Sequence, residues 1–230
     1  MTLKAERIRT LSRVLEKYCA ERPLGIIPNV GDVARMDVFR SRIENTSVST
    51  VSEDFFSEAM ADLPQLSREW KGSKDRELVM LMNKDKNLLN DATKCTESGD
   101  DFVELELAMT YFKCFTCREP IWYPQILKHR HMFEFRHNFP AEDDTDELAK
   151  AMASVYIHSW NCGGNRVALH DIGPHVARSV IEAFGLNPDV ATARDMDEAN
   201  RMVECLRCRN NPGGSRYVMR WRRAVRHRVF

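Results

Sequence analysis

The chain has 230 residues, enough for one sizeable core or two small ones, and no stretch nears the roughly eighteen apolar residues of a membrane-crossing helix. Lysine plus arginine equals aspartate plus glutamate at 34 each, so no whole-chain field draws it to nucleic acid or to an anionic membrane, and any charge argument must be local. Seven cysteines and a charged opening, Met1-Thr2-Leu3-Lys4-Ala5-Glu6-Arg7, speak against a secreted disulfide scaffold and for a cytoplasmic or nuclear chain with reduced thiols.

Leu3, Ile8, Leu11, Val14, Leu15 and Tyr18 recur at helical spacing, which predicts an amphipathic helix from about Leu3 to Ala20, ended by Arg22-Pro23. Leu24 to Gly31 is too rich in proline and glycine to be regular. Asp32 is expected to cap a short helix carrying Val33, Met36, Phe39 and Ile43. Ser52 with Glu53 and Asp54 opens another, Phe55 to Leu63, and Pro64 suits the first turn of a longer one bearing Leu66, Trp70, Leu78 and Leu81, with Lys71-Gly72-Ser73 as a candidate break. Asn83 to Asp101 reads as a loop and as the internal boundary, between a helical region 1–90 and a second region 101–230.

Phe102 to Met109 fits a helix or a strand, whereas Thr110 to Lys113 should be extended. The acidic run Glu142 to Glu147 favours a helix start, and that helix would carry Leu148, Met152, Val155, Tyr156 and Trp160 until Asn161-Cys162-Gly163-Gly164 breaks it. Pro174 begins a helix with Val176, Val180, Ile181 and Phe184 inward and Gly185 as its left-handed stop. Thr192 and Asp195 form a capping-box pattern for one more. The expected fold is α+β and mostly α-helical, with short strands confined to hairpins near 110–133 and 201–230.

Those two hairpins carry the chemistry. Cys114-x-x-Cys117 is followed by Tyr123 to His129, and Cys205-x-x-Cys208 by Trp221 to His227; both stretches read aromatic, two variable positions, two apolar residues, a base and a histidine. A C-x-x-C turn offers two thiolates to one tetrahedral ion and a following helix adds imidazole, so zinc is the expected cofactor. Units this short bury too little apolar surface to fold alone, and structural zinc supplies on the order of 10 kcal/mol or more. A redox C-x-x-C would need a thiolate at a helix N-terminus after a strand, which neither pair shows.

Cys114, Cys117, His129 and His131 are the candidate ligands of the first unit, although one residue between histidines is tighter than the usual spacing of about three to five. Cys205, Cys208 and His227 are those of the second, its fourth ligand left open among His170, His175 and Cys162. All four paired cysteines on one ion is a further possibility. His137 and His158 have no partner pattern and read as surface or core residues. No Gly-rich phosphate loop, G-x-S-x-G elbow or H-E-x-x-H helix occurs, so neither an enzyme nor a small-molecule substrate is expected.

Two stretches of text resemble the F-box-like proteins of mushroom-forming fungi. In the first half these are Val30 to Met36, Phe39-Arg40, Ile43-Glu44-Asn45-Thr46, Phe56 with Leu63 to Leu66, and Glu69-Trp70. In the second they are Phe112-Lys113-Cys114 with Cys117, Tyr123-Pro124 leading to His129, Gly185 to Pro188 with Thr192 and Asp195-Met196-Asp197, and Cys205, Cys208 and Val218 to Val225 with His227. The resemblance implies an intracellular, zinc-binding interaction region related to ubiquitin-ligase receptors, with His131 standing where the family tends to have cysteine. No F-box itself is visible. A protein partner is therefore expected; the alternative is nucleic acid held by the acid-free C-terminal segment through Arg216, Arg220, Arg222, Arg223 and Arg226, interleaved with Tyr217 and Trp221.

Overall fold

A computed structural model of the chain describes residues 2–22, 25–45, 47, 52–88, 102–134, 146–170, 174–210 and 216–229. Helices dominate, with small antiparallel sheets, so the fold is α+β and mostly α. The chain divides into two compact units, each made of two stretches: Met1–Glu77 with Leu127–Val167, and Leu78–Ile126 with Ala168–Phe230. Most of the boundary expected between Asn83 and Asp101 lies outside the described residues, as does most of the acidic run at 142–147.

In the first unit, α1 (Leu3–Ala20) starts from Thr2, whose hydroxyl accepts from the Ala5 amide. Its stripe of Ile8, Leu11 and Leu15 meets Phe39 and Ile43, Phe56, Leu63 and Met152 in one buried cluster. Asp32 does not cap the helix at its position. Asn29 does, accepting from the Gly31 amide, and the expected single helix is two: α2 (Val30–Arg35) and α3 (Asp37–Glu44), divided by extended Met36. Asp32 turns inward instead and accepts from the Trp160 amide at 3.0 and 3.2 Å. Burial pushes its carboxyl up to about 6, against the lowering effect of that amide. Gly31 permits this approach, because a Cβ there would stand 2.2 Å from the His158 carbonyl oxygen. Arg7, 1% exposed, donates to the Ile43 carbonyl at 2.8 Å and so satisfies the end of α3 from inside.

α4 (Ser57–Leu88) corrects three expectations at once. Pro64 lies inside it and not at a start, Lys71-Gly72-Ser73 does not interrupt it, and 83–88 is helical. Pro64 is exposed, so solvent can take up the backbone hydrogen bond that its ring removes. After α5 (Val103–Glu106), α6 (Glu147–Ala153) is capped by Asp146 and ends before Val155, because Tyr156 is left-handed at φ 59°.

The second unit is built on β1 (Tyr111–Cys114) and β2 (Pro120–Trp122), paired antiparallel with Tyr111 opposite Trp122. β3 (Val167–Leu169) adds to the free side of β1, a strand outside the metal hairpins that the sequence reading lacks. α7 (Pro174–Ala183) is stopped by Gly185 at φ 75°, and α8 (Ala193–Ala199) starts on the complete Thr192/Asp195 capping box. β4 (Met202–Glu204) leads into the one-turn α9 (Leu206–Arg209); β5 (Val218–Arg220) pairs with β4 and runs into α10 (Trp221–Val229). Tyr111, Trp122, Ile181, Phe184, Met196, Trp221 and Val225 form the core of this unit.

Candidate metal centres

The first hairpin delivers two sulfurs. β1 ends at Cys114, and a tight turn follows in which Arg118 is left-handed at φ 59° and its amide donates to the Cys114 carbonyl at 2.7 Å. The Thr116 amide donates to Cys114 Sγ at 3.4 Å. Burial pushes the Cys117 thiol up, and the neighbouring Cys114 adds to that.

No α-helix follows this hairpin. Two 3-10 turns, Gln125–Lys128 and Arg130–Met132, flank His129, whose own backbone is extended at φ −68°, ψ 120°. That departure from the expected hairpin and helix explains the tight histidine spacing. On a continuous α-helix residues i and i+2 point to different sides, whereas here an extended residue enters a 3-10 turn and the two side chains meet. His129 Nε2 and His131 Nδ1 consequently face each other at 3.1 Å with their rings at 88°. Two imidazole nitrogens on one tetrahedral zinc at about 2.0–2.1 Å would stand about 3.3 Å apart, so the pair fits an ion closely. One ligand atom from each of Cys114, Cys117, His129 and His131 lies within 4.8 Å of all the others, with Cys114 and His131 buried.

Sequence reasoning missed what holds the second histidine. Arg166, 2% exposed, donates from one guanidinium nitrogen to the carbonyls of Met132 at 3.2 Å and Glu134 at 2.7 Å, with His131 at 3.4 Å, and its Nε donates to the Cys162 carbonyl. The Asn161 amide donates to Met132 as well. Nothing local in Asn165-Arg166-Val167 signals this, because carbonyl partners leave no trace in side-chain identity.

The second group keeps to the expected plan of hairpin and helix, with one correction: Cys205 follows β4 and is the N-cap of the one-turn α9, the strand-to-helix setting expected of neither pair. The Cys205 amide donates to the Tyr217 carbonyl at 2.9 Å, α9 carries Cys208, and α10 brings His227, whose Nε2 is 3.0 Å from Cys208 Sγ. A tetrahedral zinc would set that sulfur and nitrogen about 3.6 Å apart, so the pair would have to open slightly to admit one. α10 is anchored at its start by Trp221, which donates to Asp197 at 2.7 Å and meets Trp122 edge-on at 4.8 Å. Burial works against an ionised Asp197, yet the Arg222 guanidinium and the Trp221 indole hold its carboxyl below the usual range. Cys205, Cys208 and His227 all lie within 4.8 Å of one another and are half-buried.

Of the candidate fourth ligands, none joins this group among the described residues. His170 is buried with its ring 5.2 Å from Tyr111, Cys162 is buried, and His175 is exposed at the start of α7. His158 is a core residue, and His137 lies outside the described residues. No described cysteine is in a disulfide. The cysteine pairs thus form two groups, each with its own histidine, and each can hold a metal ion. No helix of the described residues is long and apolar enough to cross a membrane.

No family model, curated protein or solved structure matches the chain.

Proposed function

We propose that both groups hold zinc and that the chain is a zinc-stabilised protein-interaction module. The convergence of two sulfurs and two imidazole nitrogens in residues 114–131 carries the metal half of this reading, since thiolate with imidazole is a donor set that zinc favours. For the interaction half, the support is an exposed apolar face. On the β4–β5 hairpin Val203 and Met219 point inward, while Met202 and Val218 point outward and are 54% and 51% exposed. Tyr217, next to Val218 in the chain, is 53% exposed. Apolar residues gathered on one small module mark a contact surface more often than a solvated one. Kinship with F-box-like receptors, and with it the recruitment of a degradation target, rests on the motif resemblance alone.

The test pairs metal analysis with partner mapping by crosslinking in cells. Wild type should carry zinc, and a Met202→Glu, Val218→Lys double variant should keep that zinc while losing crosslinked partners. Zinc-free protein, or a partner set unchanged in the variant, would sink the reading.

A second reading is nucleic-acid binding, favoured by a cavity of about 460 Å³ whose lining includes Arg201, Arg220, Arg222, Arg223 and Arg226. The arginines are partly spent within the chain, however: Arg216 pairs with Glu204, Arg222 with Asp197 and Arg226 with Glu119. If phosphate contacts matter, binding of an oligonucleotide should fall steeply with salt and drop in an Arg220→Ala, Arg223→Ala variant. Absence of binding at low ionic strength retires this alternative.

A further inference from the structure

Cys205 and His227 do more than face Cys208. Both also line a cavity of about 470 Å³, whose remaining walls include Val176 and Val180 of α7, the inner hairpin residues Val203 and Met219, and Leu206. That volume lies in the range of roughly 300–1,000 Å³ typical of small-molecule sites, and its lining fits them too, mostly apolar with a few polar groups, His175, Ser179, Glu204, Cys205 and His227.

The donor count gives the cavity a role. Zinc in a closed structural site has four protein ligands, whereas a site with three keeps a position for water or an incoming ligand. Among the described residues the second group supplies three donors, and two of them form part of the cavity wall. The first group has four donors.

We propose that the second centre is an open metal site that binds a small organic thiol, its sulfur on the ion and its apolar body in the cavity between α7 and the β4–β5 hairpin. A thiolate would complete the set as three sulfurs and one nitrogen; on binding, the thiol gives its proton to solvent and its sulfur displaces a coordinated water. Val180 and Leu206 would contact the apolar body, which sets the preference for alkyl over polar thiols. The inference rests on the reading of the Cys205 group as a metal site. His175 is the rival occupant, since it lines the same cavity. Were its imidazole to take the fourth position, the site would be closed.

Cobalt(II) serves as the test ion, because its visible absorption reports the number and kind of its ligands. The full chain is loaded with cobalt(II) and titrated with butanethiol, and with 2-mercaptoethanol as the polar control. A saturable change in the cobalt spectrum is expected, with butanethiol binding on the order of tenfold tighter. Cys114→Ser should keep the response and Cys205→Ser should abolish it. Val180→Phe, which fills the cavity, should weaken it at unchanged cobalt content. Cobalt bound at the Cys205 group with no response to either thiol overturns the proposal and leaves the metal reading intact. A response seen only in His175→Ala overturns it too, and assigns the fourth position to His175. Failure of the Cys205 group to bind cobalt at all overturns both readings together.

Discussion

The two Cys/His groups start from matching text and become different sites. Around the first, an extended residue between two 3-10 turns lets His129 and His131 converge, giving four donors with the outer two buried. Around the second, α10 continues as a regular helix, and the residues one turn before His227, Arg223 and Ala224, bear no metal-ligand atom, so three half-buried donors result among the described residues. The lesson is that a shared C-x-x-C and histidine pattern does not set the coordination number. The backbone that follows the hairpin sets it, by deciding how many imidazoles reach the same point.

The hardest way to break this comparison is to remove one sulfur from each group. Cys114→Ser should release the first ion and unfold the region around it, a loss on the order of 10 kcal/mol of metal-linked stability; Cys205→Ser should release only the second, more weakly held ion. Metal content by mass spectrometry and a thermal melt by circular dichroism check this together. Equal metal content in wild type and both variants would falsify it. In wild type, a chelator titration should strip the second ion first.

The next effect is a control that touches no ligand. Gly31→Ala drives a methyl into the His158 carbonyl and should cost roughly 3 kcal/mol in a denaturant melt while metal content stays at the wild-type level. A melt indistinguishable from wild type would show that the approach of α2 to 158–160 is looser than described.

Arg166→Met sharpens the comparison at the first centre alone. Without the guanidinium, the carbonyls at 131–134 lose their shared donor and His131 loses its fixed position; affinity for the first ion should drop about 10- to 100-fold in a competition titration, with the second unchanged. An equal drop at both centres would make Arg166 a general stability residue.

The smallest effect separates the electrostatics of the first unit from proton competition at the metals. Acid should weaken metal binding at both groups, because their ligands bind ions only when deprotonated. Asp32 works in the opposite direction. Its carboxyl is raised to about 6 in the folded chain, so its contribution is fully present below the unfolded value near 4 and is lost as pH rises through about 6. Asp32→Asn should remove that dependence, seen as a wild-type-minus-variant difference of about 1–2 kcal/mol between pH 4 and pH 7. A difference that does not change with pH would mean that burial does not hold the Asp32 carboxyl above its ordinary range.

Much of the local text was legible because its signals are one-body and short-range. The Thr192/Asp195 box and the Gly185 stop name their own helix ends, and the cysteine pairs and matched histidines point to the groups the structure assembles. What escaped depends on partners distant in sequence. Asp32 looked like a cap because aspartate prefers caps, but the Trp160 amide, 128 residues on, recruits it inward and leaves capping to Asn29. Pro64 looked like a helix start, yet at an exposed position inside a long helix its missing donor is tolerated. β3 gave no sign because three residues carry too little pattern, and it exists only where β1 offers an edge.

The extended backbone at His129 also bears on which changes this segment can absorb over evolutionary time. Exchanging either histidine for cysteine keeps a donor on the same side of the chain, so the letters at 129 and 131 are open to replacement within the ligand alphabet. Inserting or deleting a single residue between them is another matter, since it would change how extended His129 enters the 3-10 turn that brings the two rings together. Drift here can rewrite spelling but not length. The α10 stretch is no freer, because a helix lengthened by a whole turn returns its histidine to nearly the same face but about 5.4 Å further along the axis, away from Cys208.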